Sequence, residues 1–252
     1  MSTFHPERAP WGGRWEAPRG GEEVWFPTSG GARLHGYFVP AAGGGAAATV
    51  IYFHGNGGNV SYVGWVGEQF AARGFDVLLF DYRGYGRSEG SVSDERGLYE
   101  DADAAYDYAV RVRGARPERL VLYGQSLGSA AAADVAARRP CGALVLESGL
   151  SSAADMAQTI LPWLPRAVAR QTRSKFDSVG KLSRVKCPVL VAHGDRDEVI
   201  PVGQGRALHA AAPEPKQLIV IHGAGHNNLS NVAGEAYTDA VADFIRKAVA
   251  AR

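Results

Sequence analysis

From residue 75 onward, short apolar runs alternate with longer segments of helical period, and no other feature of the sequence restricts the fold as much. The runs are residues 75–80, 120–123, 143–146, 189–192 and 218–221, at most six residues each. That length is short for a buried helix and ordinary for a strand. A strand that is apolar on successive residues has to be covered on both faces, and the helices between the strands supply the cover. The chain is therefore expected to fold as an α/β protein with a mostly parallel sheet. Residues 22–27, 33–39 and 49–53 also read as strands from their Val, Ile, Tyr and Phe content, which brings the number to eight.

The helical segments are equally legible. Ser93 is placed to cap a helix that opens on Asp94 and Glu95 and buries Leu98, Ala102, Ala105, Tyr106 and Ala109. A last helix carries Tyr237, Val241, Phe244, Ile245 and Ala248 on one stripe, the pattern of packing on a core. The Ala/Gly tract at residues 41–48 reads as a hairpin loop between the second and third strands. Residues 151–186 do not fit the alternation and are too long for a simple connection. Their Ile160, Leu161, Trp163, Leu164 and Val168 are apolar, while Pro162 and Pro165 forbid one long helix. A small cap inserted over the strand ends is expected there. Arg166, Arg170 and Arg173 share roughly helical spacing, the mark of a solvated face.

With 252 residues, 46% hydrophobic and 21% charged, the chain has the size and composition of one globular domain, residues 1–252. A net charge of +1 without dense Lys/Arg runs excludes the electrostatic footprint of a nucleic-acid binder. No apolar stretch reaches the length of a transmembrane segment, and the N-terminal region lacks the apolar centre of a signal peptide, which favours a cytoplasmic protein. Cys141 and Cys187, each just ahead of a strand, are expected as buried free thiols.

Gly124-Gln125-Ser126-Leu127-Gly128 follows one of the runs directly and leads into the Ala-rich segment 129–138. A serine on a tight strand-to-helix turn, with glycine two before and two after it, is the arrangement of a nucleophile elbow. A serine hydroxyl needs a base to take its proton, and the base needs a carboxylate to orient it and stabilise its cation. Candidates lie at the ends of the last two strands, where open α/β sheets place their sites. Asp197 is favoured as the acid over Asp195, which suits turn hydrogen bonding, and over Glu147 at another strand end. His226, on a glycine loop, is favoured as the base over His222, the last residue of its strand, expected to point into the body. His193 and His209 read as structural or exposed residues. The negative charge formed on a substrate carbonyl needs two main-chain donors, assigned to Leu127 and, on the glycine-rich loop 54–59, to Asn56. The same loop lacks the G-K-[ST] that a phosphate-binding loop would carry. Residues 81–88, Asp-Tyr-Arg-Gly-Tyr-Gly-Arg-Ser, read mainly as a structural turn, with Tyr82 and Tyr85 as candidates to line a substrate pocket together with Ile160, Leu161, Trp163 and Leu164 of the cap.

Taken together, the 54–59 loop, the 81–88 turn, the elbow, the Asp197 loop and His226 resemble the α/β-hydrolase superfamily, most closely its Bem46-like branch. The resemblance runs from about residue 22 to the end. It implies an α/β-hydrolase fold, a Ser126-Asp197-His226 triad, an oxyanion hole at Asn56 and Leu127, and esterase, lipase or depalmitoylating thioesterase activity. Depalmitoylating eukaryotic members carry a cysteine-rich lipidated N-terminus, whereas no cysteine precedes Cys141 here.

The expected chemistry is acyl transfer through a covalent intermediate, with a small-molecule ester or thioester as substrate and neither cofactor nor metal required. Carboxylic esters of small or medium acyl chains lead, with acyl-thioester and peptide hydrolysis as alternatives. A non-catalytic binding protein on the same fold is the reading from a different class.

Overall fold

The computed structural model describes residues 4–172 and 174–251, so Arg173 of the arginine row lies outside the described residues. The eight runs become β1 (Glu22–Pro27), β2 (Arg33–Val39), β3 (Ala48–Phe53), β4 (Phe75–Phe80), β5 (Leu120–Gln125), β6 (Ala143–Glu147), β7 (Val189–Gly194) and β8 (Lys216–Ile221). They form one sheet in the order β1-β2-β4-β3-β5-β6-β7-β8. β2 pairs antiparallel with both β1 and β4, and every other pairing is parallel. The fold is that of an α/β-hydrolase.

This order corrects the expected hairpin at residues 41–48. β4 lies between β2 and β3, because the edge of β4 accepts β2 so closely that a Cβ on Gly36 would stand 2.3 Å from the Leu79 carbonyl oxygen. The connection instead runs along the end of the first helix, with the Ala42 and Ala47 amides donating to the carbonyls of Ala71 and Gly74 at 2.9 Å.

The helices are α1 (Gly64–Ala72), α2 (Glu95–Asp107), α3 (Leu127–Arg138), α4 (Ala153–Ile160), α5 (Arg166–Ala169), α6 (Ser178–Leu182), α7 (Val202–Ala211), α8 (Leu229–Ala233) and α9 (Glu235–Ala250). Successive strand residues face opposite sides of a sheet, so the apolar runs feed two cores at once. Ile51, Leu78, Leu122, Leu144 and Val191 pack with α2, α3, α6 and α7. Val50, Val77, Val121, Val145 and Leu190 pack with α1, α8 and α9. The cap of α2 is Asp94, whose carboxylate accepts from the Gly97 amide at 3.1 Å, and not Ser93. The shorter Ser93 side chain, one residue further out, is left at a cavity wall.

Residues 151–186 carry α4, α5 and α6. α6 returns to the body, where Leu182 is buried and the Lys181 ammonium meets Asp134 at 3.0 Å. Before it, the middle of the segment is exposed, with Ile160 70% and Trp163 75% accessible, while Ala169 and Phe176 are buried. Cys141 and Cys187, ahead of neighbouring strands, are buried thiols with sulfurs 3.3 Å apart. No described helix is long and apolar enough to cross a membrane.

Candidate active site

Ser126 stands between β5 and α3 with φ 53° and ψ −119°. That backbone costs a residue with a Cβ ~1–3 kcal/mol and persists only where the surroundings impose it. Here the two flanking glycines let the turn close. A Cβ on Gly124 would lie 2.4 Å from the Gly128 carbonyl oxygen, and one on Gly128 would lie 1.9 Å from that of Phe53. The Ser126 amide donates to the Glu147 carbonyl at 2.9 Å, and the Ser129 hydroxyl donates to the Ser126 carbonyl at 2.6 Å.

β7 and β8 bring the candidate acid and the candidate base to the same end of the sheet. His226 Nε2 lies 2.9 Å from Ser126 Oγ, and His226 Nδ1 lies 2.8 Å from Asp197 Oδ2. The other oxygen of Asp197 accepts from the amides of Val199 and Ile200 at 2.9 and 2.8 Å. Burial works against charge on this carboxyl, but hydrogen bonds from His193, His226 and the Ile200 amide outweigh it and hold the group well below the ordinary carboxylate range. An ionised carboxylate only accepts, so the hydrogen of His226 sits on Nδ1 and Nε2 is left to accept from the serine hydroxyl.

The rival residues are disposed elsewhere. Asp195 and His222 pair with each other at 2.8 Å, and the His222 side chain is 88% exposed, not turned into the body as its place after the strand suggests. The chain turns outward there because Gly223 follows with φ 81° and gives its amide to Asp195 at 2.7 Å. Glu147 receives the phenol hydrogens of Tyr123 and Tyr237, and burial pushes its carboxyl up against the pull of those bonds. His209 is half-buried on α7.

Ser126, Leu127 and Asn56 line a cavity of about 760 Å³ whose walls include Leu150, Met156, Ile160, Phe176 and Ile200. Of the cap residues singled out in the sequence, only Ile160 reaches it; Leu161, Trp163 and Leu164 are not among its walls. Tyr82 and Tyr85 are fully buried and lie behind the 54–59 loop. The Tyr82 hydroxyl donates to the His54 carbonyl at 3.0 Å, and the Tyr85 hydroxyl to Asn56 Oδ1 at 2.8 Å. Among the described residues, no group of three or more His, Cys, Asp or Glu side chains converges as metal ligands would.

Residues 44–180 match a family described as serine aminopeptidase, S33. Over 225 residues, 89% of this chain and 79% of the other, it is 37% identical to the protein Rv2307c of Mycobacterium tuberculosis. It is 35% identical over 230 residues to alpha/beta hydrolase domain-containing protein 17C of Mus musculus, covering 88% of this chain and 67% of that one. The chain belongs to the serine hydrolases of the α/β-hydrolase superfamily. The Bem46-like branch is consistent with these relatives. Among solved structures, the Pyrococcus furiosus esterase Pf2001 superimposes with a TM-score of 0.78 at 20% identity, covering 97% of this chain and 99% of that one, a likeness of fold.

Three features of the hydrolase escaped the sequence reading. His193 is structural, as one of its two expected readings had it, wholly buried and donating through Nε2 to the Ile200 carbonyl at 2.7 Å, but its approach to Asp197 Oδ2 at 3.2 Å was not foreseen. Its one available signal was a histidine in an apolar strand four residues before the acid. Ser93 reaches the cavity from the start of α2. Residues 4–11, without periodic pattern, pack against the 54–59 loop.

Proposed function

We propose that this hydrolase cleaves carboxylic esters of small or medium acyl chains, with Ser126 as nucleophile, His226 as general base and then acid, and Asp197 as the carboxylate that orients it. The observation carrying the reading is the unbroken hydrogen-bonded series Ser126–His226–Asp197 opening into an apolar cavity. Ser126 Oγ attacks the ester carbonyl as its proton passes to His226 Nε2, and the carbonyl oxygen takes the negative charge. The amides of Leu127 and Asn56 donate to that oxygen, each worth on the order of 10²–10³ in rate. His226 then protonates the departing alkoxide, leaving an acyl-enzyme that water attacks by the same route in reverse.

The cap at residues 151–186, an insertion within one domain, supplies through Met156, Ala157 and Ile160 the wall against which the acyl chain rests. An aminopeptidase has to hold the α-ammonium of its substrate, for which a carboxylate is the natural partner. None of the described residues lining the cavity is Asp or Glu, which favours an uncharged acyl group over an aminoacyl one. Thioesters would use the same residues with a thiolate as leaving group. A non-catalytic binding protein has no reason to retain the strained backbone at Ser126.

A fluorophosphonate probe is expected to label Ser126 in the wild-type protein and nothing in a folded Ser126→Ala variant. In a series of p-nitrophenyl esters run beside acyl thioesters and aminoacyl anilides, kcat/KM is expected to peak at about four to eight acyl carbons, in keeping with a pocket of ordinary ligand size. Absence of the adduct, or preference for the anilides, overturns the reading.

A further inference from the structure

The loop expected to bind the oxyanion is poor in side chains that could hold its shape. A Cβ on Gly57 would meet no atom within 4 Å, so nothing packs on the loop at that point. Beyond the buried His54 ring, which packs on Tyr82 and Tyr85, its geometry rests on polar contacts from two directions. From the body, Tyr82, Tyr85 and Asp81 hold it, the last accepting from the Val60 amide at 2.7 Å.

From outside, the contacts come from residues 4–11, a segment beyond the family match at 44–180. The His5 amide donates to Asn56 Oδ1 at 3.1 Å. Asn59 Nδ2 donates to the carbonyls of Glu7 and Ala9 at 3.2 and 2.6 Å. The Tyr62 hydroxyl donates to the Glu7 carboxylate at 2.7 Å, and the Trp11 amide to Ser61 Oγ at 2.8 Å. The Glu7 carbonyl also accepts from the Gly86 amide at 2.9 Å, which ties the segment to the 81–88 turn as well. At its start Phe4, 2% exposed, packs edge-on against Phe176 of the cavity wall with ring centroids 6.1 Å apart.

We propose that residues 4–11 are a positioning strap, which fixes the Asn56 peptide so that its N–H points at the oxyanion formed above Ser126. The inference rests on the ester-hydrolase reading above. Its centre is Asn56 Oδ1, which accepts from two donors on unrelated segments, the His5 amide and the Tyr85 hydroxyl. A carbonyl oxygen has two acceptor sites, so both are used and the side chain has no freedom to rotate. A side chain held at both sites holds the peptide next to it. Removing the outer donor empties one of the two sites on Oδ1 and loosens the peptide on its outer side, and a displacement of ~1 Å in a reacting array costs on the order of 10²-fold in rate. The strap acts through the loop, its hydrogen bonds there being to Asn56 and Asn59.

The test uses the full chain with His5→Pro, which removes the amide hydrogen, and His5→Ala, which keeps it and subtracts any effect of the imidazole at the cavity wall. Three quantities are measured: kcat and KM for p-nitrophenyl butyrate, the inhibition constants of an alkyl trifluoromethyl ketone and of the matching secondary alcohol, and the Tm. The ketone takes Ser126 Oγ at its carbonyl carbon, passes the serine proton to His226 and keeps an oxyanion; the alcohol forms none. Relative to His5→Ala, His5→Pro is expected to lower kcat by about 10-fold or more with KM within about 2-fold, to weaken the ketone in proportion, and to leave the alcohol and the Tm unchanged. Equal kcat in the two variants, or parallel loss of ketone and alcohol affinity, overturns the strap alone. A wild-type protein that neither turns over the ester nor binds the ketone overturns the hydrolase reading and the strap with it.

Discussion

The tightest steric constraint on the site is at Gly128, and it makes Gly128→Ala an informative substitution. The added Cβ would stand 1.9 Å from the Phe53 carbonyl oxygen, 2.5 Å from its carbon and 2.7 Å from the His54 oxygen. All three are backbone atoms where β3 runs into the 54–59 loop, so no side-chain rotation relieves the overlap. α3 has to withdraw from β3 by more than ~1 Å, yet Ala130, Ala131, Ala132 and Ala133 leave no slack, each being 0% exposed. Overpacking of this kind costs ~1–3 kcal/mol or more, and with a Tm response of ~2–4 °C per kcal/mol the variant should melt about 5–10 °C below wild type. The displaced carbonyls lead into the loop proposed to bind the oxyanion, so kcat should fall on the order of 10²-fold in the protein that remains folded. Gly57→Ala is the control, because its Cβ would enter open space. Thermal melts and p-nitrophenyl butyrate kinetics on both variants decide the matter. A Gly128→Ala protein within 1–2 °C of wild type, or no less stable than Gly57→Ala, would refute the account of the elbow as sterically closed.

Ser126→Gly removes the proposed nucleophile and also the Cβ that makes φ 53° costly, so the variant is expected to be inactive yet to melt at or above the wild-type temperature. A Tm several degrees lower would show the backbone there to be relaxed. Asp197→Asn should lower kcat by ~10⁴-fold, because an amide donor opposite Nδ1 reverses the tautomer His226 needs. Its effect on stability should depend on pH. The native carboxyl is depressed, so its contribution is complete above the ordinary Asp value of about 3.9 and fades as pH falls toward the native one. The Tm gap between wild type and Asp197→Asn should therefore narrow below about pH 4, and a gap independent of pH would contradict the ionised assignment.

The central strands β3 to β7 were legible because each is largely apolar on successive residues and buried on both faces, a pattern that needs no knowledge of neighbours, while the partly exposed edge strands β1 and β8 showed only through short runs of Val, Ile, Leu and aromatic residues. Their ends were less so. β5 runs on to Gln125, β6 to Glu147 and β7 to His193 and Gly194, because ladder hydrogen bonds continue past the last apolar side chain. The place of β4 between β2 and β3 was not legible, since local pattern says which segments are strands and not which edges meet. Tyr82 and Tyr85, on what reads mainly as a structural turn, are candidates for the pocket because an aromatic beside a site can face either way. Here their hydroxyls turn to the His54 and Asn56 carbonyl groups behind the loop. The strap was invisible for a related reason: most of its contacts are made by main-chain groups of residues 5–11, which no side-chain pattern encodes.

The acid and the base pose a sharper case, because the same segment offers two aspartates and the next offers two histidines at nearly the same spacing. The structure uses both pairs, one inside and one out. Asp195 and His222 close the surface end of the β7–β8 crossing, with the Gly223 amide as a second donor to Asp195. That closure directs the chain after Gly223 back over the sheet, where the Ala224 carbonyl accepts from Arg196 at 2.9 Å and a Cβ on Gly194 would stand 2.3 Å from the same oxygen. Only with the two loops pressed together in this way do Asp197 and His226 meet at 2.8 Å. The rejected candidates are thus part of what brings the favoured ones into contact. Residue type alone left the choice open because both pairs satisfy the same hydrogen-bonding rule; they are separated by reach, His226 Nε2 lying 2.9 Å from Ser126 Oγ, and by exposure, 88% for the His222 side chain against 10% for His226.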